Sequence, residues 1–257
     1  GKKDKNIFIT ENKKSYLYSL ASNLKSEIIH HNNYIGGRYS VLSEVGMLPA
    51  TLMGLNPNKF RQLNNLVKNK KFFDSILFNV ESILSLTKKK KFNSILLNYD
   101  PTFQNFLEWY KQLVGESLGK KSIGILPVIS NMPKDNHSVM QLYLDGLKKN
   151  FYTFFFVENS KSKKIKNTNL NNYSFLKDKT INQIILYQKL ATEKVFLKKN
   201  IPFRTFDILK RDEKTLGELF IFFILETILL GKALNVNPYD QPSVELIKTE
   251  TKKKLIK

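Results

Sequence analysis

From about residue 93 to residue 234, short apolar runs alternate with segments of helical spacing, and no hairpin signal falls between them. The runs at 93–98, 122–129, 152–157 and 202–208 read as strands, and those at 103–113, 138–146, 181–198 and 216–234 as helices. Strands joined only through helices must run parallel, because a parallel pair needs a long crossover. Runs such as SILL and TFFFV suit strands buried on both faces. The pattern therefore predicts an α/β fold with a doubly wound parallel sheet covered by helices on both sides. Upstream, 6–10 and 27–30 read as short strands flanking a helix at 15–24. Ser15 is a natural cap for that helix. Helical spacing continues over 39–55, where Pro49 should end or bend the helix, and then over 58–69 and 72–86. The polar, lysine-rich stretch 160–172 reads as a surface excursion.

The chain has 257 residues, 42% of them hydrophobic, enough for one large core or two smaller ones. It has no cysteine, which excludes disulfides and thiolate metal sites. Its three histidines (His30, His31, His137) show no metal-binding spacing, so no metal site is expected. The formal charge of +20 comes almost entirely from lysine. Those lysines are scattered, the runs at 88–91 and 252–254 are short, and arginine, the usual base reader, occurs only at Arg38, Arg61, Arg204 and Arg211. Nucleic acid is therefore not the expected partner, while a positive field can still steer anionic metabolites. The apolar stretch 219–230 is shorter than the ~20 residues a bilayer requires, and Glu226 interrupts it. It reads as a buried helix. No secretory leader is legible at the start, and a cytoplasmic location with no membrane partner is the expectation.

Three segments look chosen for chemistry rather than packing. Val114-Gly115-Glu116-Ser117-Leu118-Gly119-Lys120 sets one carboxylate between glycines, just past the expected end of the 103–113 helix. Glycine there permits a tight turn and leaves room for a ligand. A carboxylate at a helix C-terminus faces the negative end of the macrodipole, which favours its acting as a base. Ile35-Gly36-Gly37-Arg38-Tyr39-Ser40 places a fixed cation after two glycines in a chain that otherwise uses lysine. Asn237-Pro238-Tyr239-Asp240-Gln241-Pro242-Ser243-Val244-Glu245-Leu246-Ile247-Lys248 reads as a turn opening a helix, capped by Asp240 or Gln241. His137 stands at the expected start of the 138–146 helix with Asn136 as its cap. Its unperturbed pKa of about 6.5 suits proton exchange near neutrality.

In this order and separation, GGRYS, GESLGK, the lone His137 and NPYDQPSVELIK resemble the glucose-6-phosphate isomerase family in its bacterial form, over about residues 34–248. Ser243 departs from the family's usual glycine, a small and tolerable change. The resemblance implies two sugar-isomerase domains of doubly wound type with an active site between them. Residues 1–46 would be the tail of the first, 47–236 the second with its connecting helices, and 237–257 an active-site helix and tail. It implies interconversion of glucose 6-phosphate and fructose 6-phosphate through a cis-enediol, with no cofactor. Glu116 would be the base. Arg38 would stabilise the enediolate, with Gly37 allowing close approach. Lys248 and His137 would open the sugar ring, and Gln112 and Gln241 would line the pocket. His137 would reach the neighbouring subunit's site, implying a homodimer.

The family's Ser/Thr-rich phosphate turn is absent from the first residues, where Thr10 and Ser15 are isolated hydroxyls. The chain is accordingly expected to be a piece of a longer protein that isomerises poorly or not at all alone. A sugar-phosphate sensor on the same fold is the alternative reading, but it would not need Glu116, Arg38, His137 and Lys248 together.

Overall fold

The structure, a computed structural model, describes residues 6–158, 162–165 and 175–256. Its two compact units comprise residues 1–76 with 212–226, and residues 77–211 with 227–257.

In the first unit, β1 (Ile7–Glu11), α1 (Tyr16–Asn23) and β2 (Glu27–His31) form a parallel pair joined by a helix. Ser15 caps α1 by accepting the Tyr18 N–H at 3.2 Å, as its sequence position suggests. The single helix expected over 39–55 divides into a 3-10 turn (Gly37–Leu42) and α2 (Glu44–Leu52). Ser43 causes the break: extended, it caps α2 and donates its hydroxyl to the Ser40 carbonyl at 2.7 Å. Pro49 lies inside α2 rather than ending it. The 58–69 helix also divides, into α3 (Pro57–Phe60) and α4 (Leu63–Leu66). Phe60 and Leu66 are both buried, and six residues is not a helical repeat, so the break turns both inward. Phe60 packs with Met47 and Ala50, beside Leu42 and Leu216.

The second unit holds a four-stranded, wholly parallel sheet in the order β4-β3-β5-β6. The strands are β3 (Asn93–Asn98), β4 (Leu126–Asn131), β5 (Asn150–Val157) and β6 (Phe203–Ile208). From β3 the chain moves one way to β4 and then crosses back to β5 on the other side, which is the doubly wound topology. Every residue of β5 is buried, as a two-faced strand requires. Alternation sorts its side chains. Tyr152, Phe154 and Phe156 join Ile95, Leu97 and Tyr99 under α8 (Met140–Asp145) and α9 (Ile181–Lys198), where Phe196 meets Phe154 edge-on. Phe155 faces the other way, toward Phe106 of α6 (Gln104–Leu118). Helices thus cover both faces, as the alternation predicts.

Two boundaries move. α6 runs five residues beyond the expected Leu113, carrying Glu116 inside its last turn instead of in a glycine loop. The buried series Phe106, Leu107, Tyr110, Leu113, Val114, Ser117 and Leu118 keeps helical spacing through Gly115, and this burial outweighs the ~1 kcal/mol a helical glycine costs. β4 begins at Leu126 rather than at residue 122, because Lys121 and Ser122 have φ of 53° and 58° and form a turn closed by a Lys120–Ile123 bridge. No strand accommodates such backbone angles. The other α-helices among the described residues are α5 (Lys70–Lys88), α7 (Lys134–Ser138), α10 (Glu213–Ala233) and α11 (Pro242–Ile256). α10 contains the apolar stretch, and among the described residues no helix is long and apolar enough to cross a membrane. Most of the expected excursion at 160–172 lies outside the described residues.

Candidate active site

The last turn of α6 brings two of the sequence-predicted residues together. Gln112 and Glu116 are one turn apart on the same face, and Gln112 Nε2 donates to Glu116 Oε1 at 3.0 Å. The amide fixes the direction of the half-buried carboxylate. Gly115 beside it has ordinary helical geometry, and a Cβ there would meet nothing within 4 Å. At Gly119, by contrast, a Cβ would come within 2.7 Å of the Gly115 carbonyl oxygen, and the helix ends there.

Lys120 then joins this helix end to the NPYDQP segment. Its side chain is only 10% exposed, and its ammonium donates to the Ser117 carbonyl at 2.9 Å and to the Asn237 carbonyl, and pairs with Asp240 at 3.1 Å. Lys121 adds a bond to the Asn235 carbonyl at 3.1 Å. Asn237 shapes the turn itself, accepting the Tyr239 N–H at 3.0 Å and donating to Asp240 at 3.1 Å. Pro238 packs against Gly231, where a Cβ would lie 3.0 Å from the ring. Two motifs more than a hundred residues apart in sequence thus form one end of the second unit. Gln241 is partly buried in this segment, at the entrance to α11. Lys248 lies further along α11, 64% exposed, and its ammonium is held by Glu245 at 2.7 Å rather than by any residue of α6.

His137 is elsewhere. It occupies the last turn of the short helix α7 rather than the start of a longer one, so Asn136 does not cap it. Asp135 ties α7 to the end of β4 by accepting from Ser130 Oγ at 2.9 Å and the Asn131 N–H at 2.8 Å. The His137 side chain is exposed and makes no hydrogen bond to another described residue. It therefore sits at the carboxyl edge of the sheet. α6 starts at that edge and runs back toward the amino edge, and the twelve residues from Gln104 to Glu116 span about 18 Å. One copy of the second unit does not bring His137 to Glu116.

In the first unit, Arg38 belongs to the 3-10 turn and is 3% exposed, with its guanidinium 5.3 Å from the centre of the Tyr39 ring. Ser40 supports the turn by donating to the Gly37 carbonyl at 2.7 Å. Gly36 is extended with φ −67°, and a Cβ at Gly36 or Gly37 would meet nothing within 4 Å. Gly115 continues the helix, which corrects the tight turn expected there, while Gly37 opens the 3-10 turn. The room they leave is present.

Lys120 and Asn237 were quoted in the motifs but given no role by sequence reasoning, and Asp240 was given only that of a helix cap. One lysine among so many carries no compositional signal, and only its place at the end of GESLGK could have marked it. Among the described residues no three His, Asp or Glu side chains are grouped to hold a metal ion.

No protein-family model matches the chain. Curated sequences do. Glucose-6-phosphate isomerase of Staphylococcus saprophyticus is 33% identical over 253 residues, covering 95% of this chain and 57% of that protein. Among solved structures, a hypothetical protein from Thermus thermophilus superposes with a TM-score of 0.86 at 25% identity, over 97% of this chain and 62% of that one. A glucose-6-phosphate isomerase from Chlamydia trachomatis superposes with a TM-score of 0.76 at 15% identity, over 97% of this chain and 52% of that one, which shows a shared fold. By sequence the chain is similar to glucose-6-phosphate isomerases, and it spans about half the length of the curated relatives it matches.

Proposed function

We propose that the chain carries the proton-transfer machinery of an aldose–ketose isomerase acting on glucose 6-phosphate and fructose 6-phosphate. The observation that carries this reading is the convergence of two separated motifs at the end of α6, with Gln112 aiming Glu116 and Lys120 tying in Asn237 and Asp240. Packing alone has no use for a carboxylate oriented there beside a glycine with open space around it.

In this reading Glu116 removes the C2 proton of the open-chain aldose. The carbonyl oxygen at C1 gains a proton as the cis-enediol forms. Glu116 then returns its proton to C1 while the C2 hydroxyl loses its own and becomes the ketone. The guanidinium of Arg38 stabilises the enediolate. Gly37 leaves bare backbone for the sugar to approach. Gln112 and Gln241 contact hydroxyls, while Lys248 and His137 assist ring opening. Lys248 must leave Glu245 to do so, which is inexpensive for an exposed pair.

The separation of His137 from Glu116 within one unit supports its action at a second copy's site, and hence a homodimer. Residues 1–46 are assigned to a first sugar-isomerase domain, 47–236 to a second and 237–257 to the active-site helix and tail. The parallel β1-α1-β2 unit supports the first assignment. The reaction uses a soluble metabolite, which supports a cytoplasmic setting.

The test is isomerase turnover by this polypeptide and by the longest protein its gene encodes, with and without Glu116→Gln. Removing the base lowers kcat by roughly 10²–10⁴ and leaves sugar-phosphate binding within a few-fold. Turnover that survives the substitution ends the assignment.

A further inference from the structure

His31 matches no motif, and its position at the end of β2 gives it no evident task. The structure places its ring between two acceptors. Nδ1 lies 2.5 Å from Glu44 Oε1, and Nε2 lies 2.9 Å from the Ile35 carbonyl oxygen. A neutral imidazole carries one N–H and can satisfy only one of these contacts. An imidazolium satisfies both. The two acceptors bracket the Arg38 turn, since Ile35 directly precedes Gly36-Gly37-Arg38 and Glu44 opens α2 directly after it. One ring therefore holds both ends of the segment that presents the buried guanidinium.

We propose that protonated His31 is a clasp that fixes the Ile35–Arg38 turn, making it a positioning residue for Arg38. This rests on the role given to Arg38 above, while the clasp itself can be measured without reference to catalysis. The charged groups facing the ring are Glu44 from α2 and Glu11 from β1, which the strand register sets opposite His31 and which also pairs with Lys13. Burial of the ring pulls its pKa down. The bonds to Glu44 and the Ile35 carbonyl, with the charges of Glu44 and Glu11, outweigh this and leave it above its ordinary value. Burial pushes Glu44 up, and its own N–H, the His31 bond and charge, and the Asn32 backbone outweigh that and leave it below its ordinary value. The clasp is thus complete between the two. It opens as pH rises through the raised value of His31 or falls through the lowered value of Glu44.

Nitrogen-15 NMR of the protein at neutral pH should show both ring nitrogens of His31 protonated. Raising the pH should remove one proton above the normal histidine range and, in the same transition, speed amide exchange at residues 35–39. Glu44→Gln should move that transition to lower pH while the fold persists. His31→Phe should expose residues 35–39 to exchange at every pH and lower kcat by about tenfold with KM little changed, as a modest misplacement of a charge-stabilising group does. A His31 ring carrying one proton at neutral pH, or exchange at 35–39 indifferent to its titration, overturns the clasp. A turnover pH profile that Glu44→Gln does not move overturns the positioning role. An intact clasp with no isomerase activity in the longest protein the gene encodes sinks the functional reading and leaves the clasp standing.

Discussion

Gly36 and Gly46 belong to the same unit, and the fold treats them in opposite ways. A Cβ on Gly46 would collide with the backbone of Val41, its carbonyl carbon only 2.8 Å away. Gly217 in α10 is similar, with the Phe60 Cα 2.7 Å from where a Cβ would stand. Backbone cannot yield as a side-chain tip can, so packing demands glycine at both positions. Gly36, Gly37 and Gly115 face open space, and none has the positive φ that favours glycine. Among the described residues nothing explains them. Their neighbours, Arg38 and Glu116, are the two groups to which the proposed chemistry assigns the enediolate charge and the proton. A glycine that its own fold does not need points to something outside the fold that needs the space.

The contrast can be broken first at its packing end. Gly217→Ala and Gly46→Ala should each destabilise the protein by about 1–3 kcal/mol, toward the upper end because backbone must move. Urea denaturation would measure this. A loss under ~0.5 kcal/mol at both would mean that steric demand does not distinguish the two sets.

A middle case is Lys120, which serves the fold and the candidate site together. Lys120→Met keeps the stem and removes a cation held by Ser117, Asn237 and Asp240. Two carbonyls lose a donor, which costs about 1–2 kcal/mol, with the Asp240 share small because that carboxylate is half exposed. Amide exchange at residues 237–241 should rise more than exchange in β3 or β5. Equal changes throughout would show that Lys120 does not fasten the two motifs specifically.

The sheet was legible in the sequence because its physics is local. Residues 93–98 and 152–157 are short, nearly continuous apolar runs of a length that suits a strand buried on both faces, and the crossovers leave a parallel arrangement as the one outcome. The end of α6 was not legible, because a glycine reads as a stop while the burial of Val114, Ser117 and Leu118 that overrides it is set by the fold. The start of β4 was missed because Lys121 and Ser122 adopt left-handed angles that neither residue type advertises. Glu116 in the second unit and Arg38 in the first could be named from motif order, and Gln112 from its match to a family position. The Lys120 link and the His31–Glu44 contact could not, since each joins residues that only the fold brings together. Lys248 shows the converse. Its motif singles it out, yet its geometry is that of an ordinary surface lysine paired at i,i+3.

The smallest expected effect tests the contrast most sharply. Gly115→Ala adds one methyl in open space on a helix that already spans the position. Helix propensity then predicts a gain of about 0.5–1 kcal/mol in stability, because alanine loses less backbone entropy than glycine on folding. If the space beside Glu116 belongs to a sugar, the same methyl should raise KM or lower kcat for glucose 6-phosphate while the protein becomes harder to unfold. Stability and activity moving in opposite directions would mark Gly115 as kept for a ligand. A variant both more stable and fully active would show that the glycine has no such task, and would weaken the placement of substrate at this end of α6.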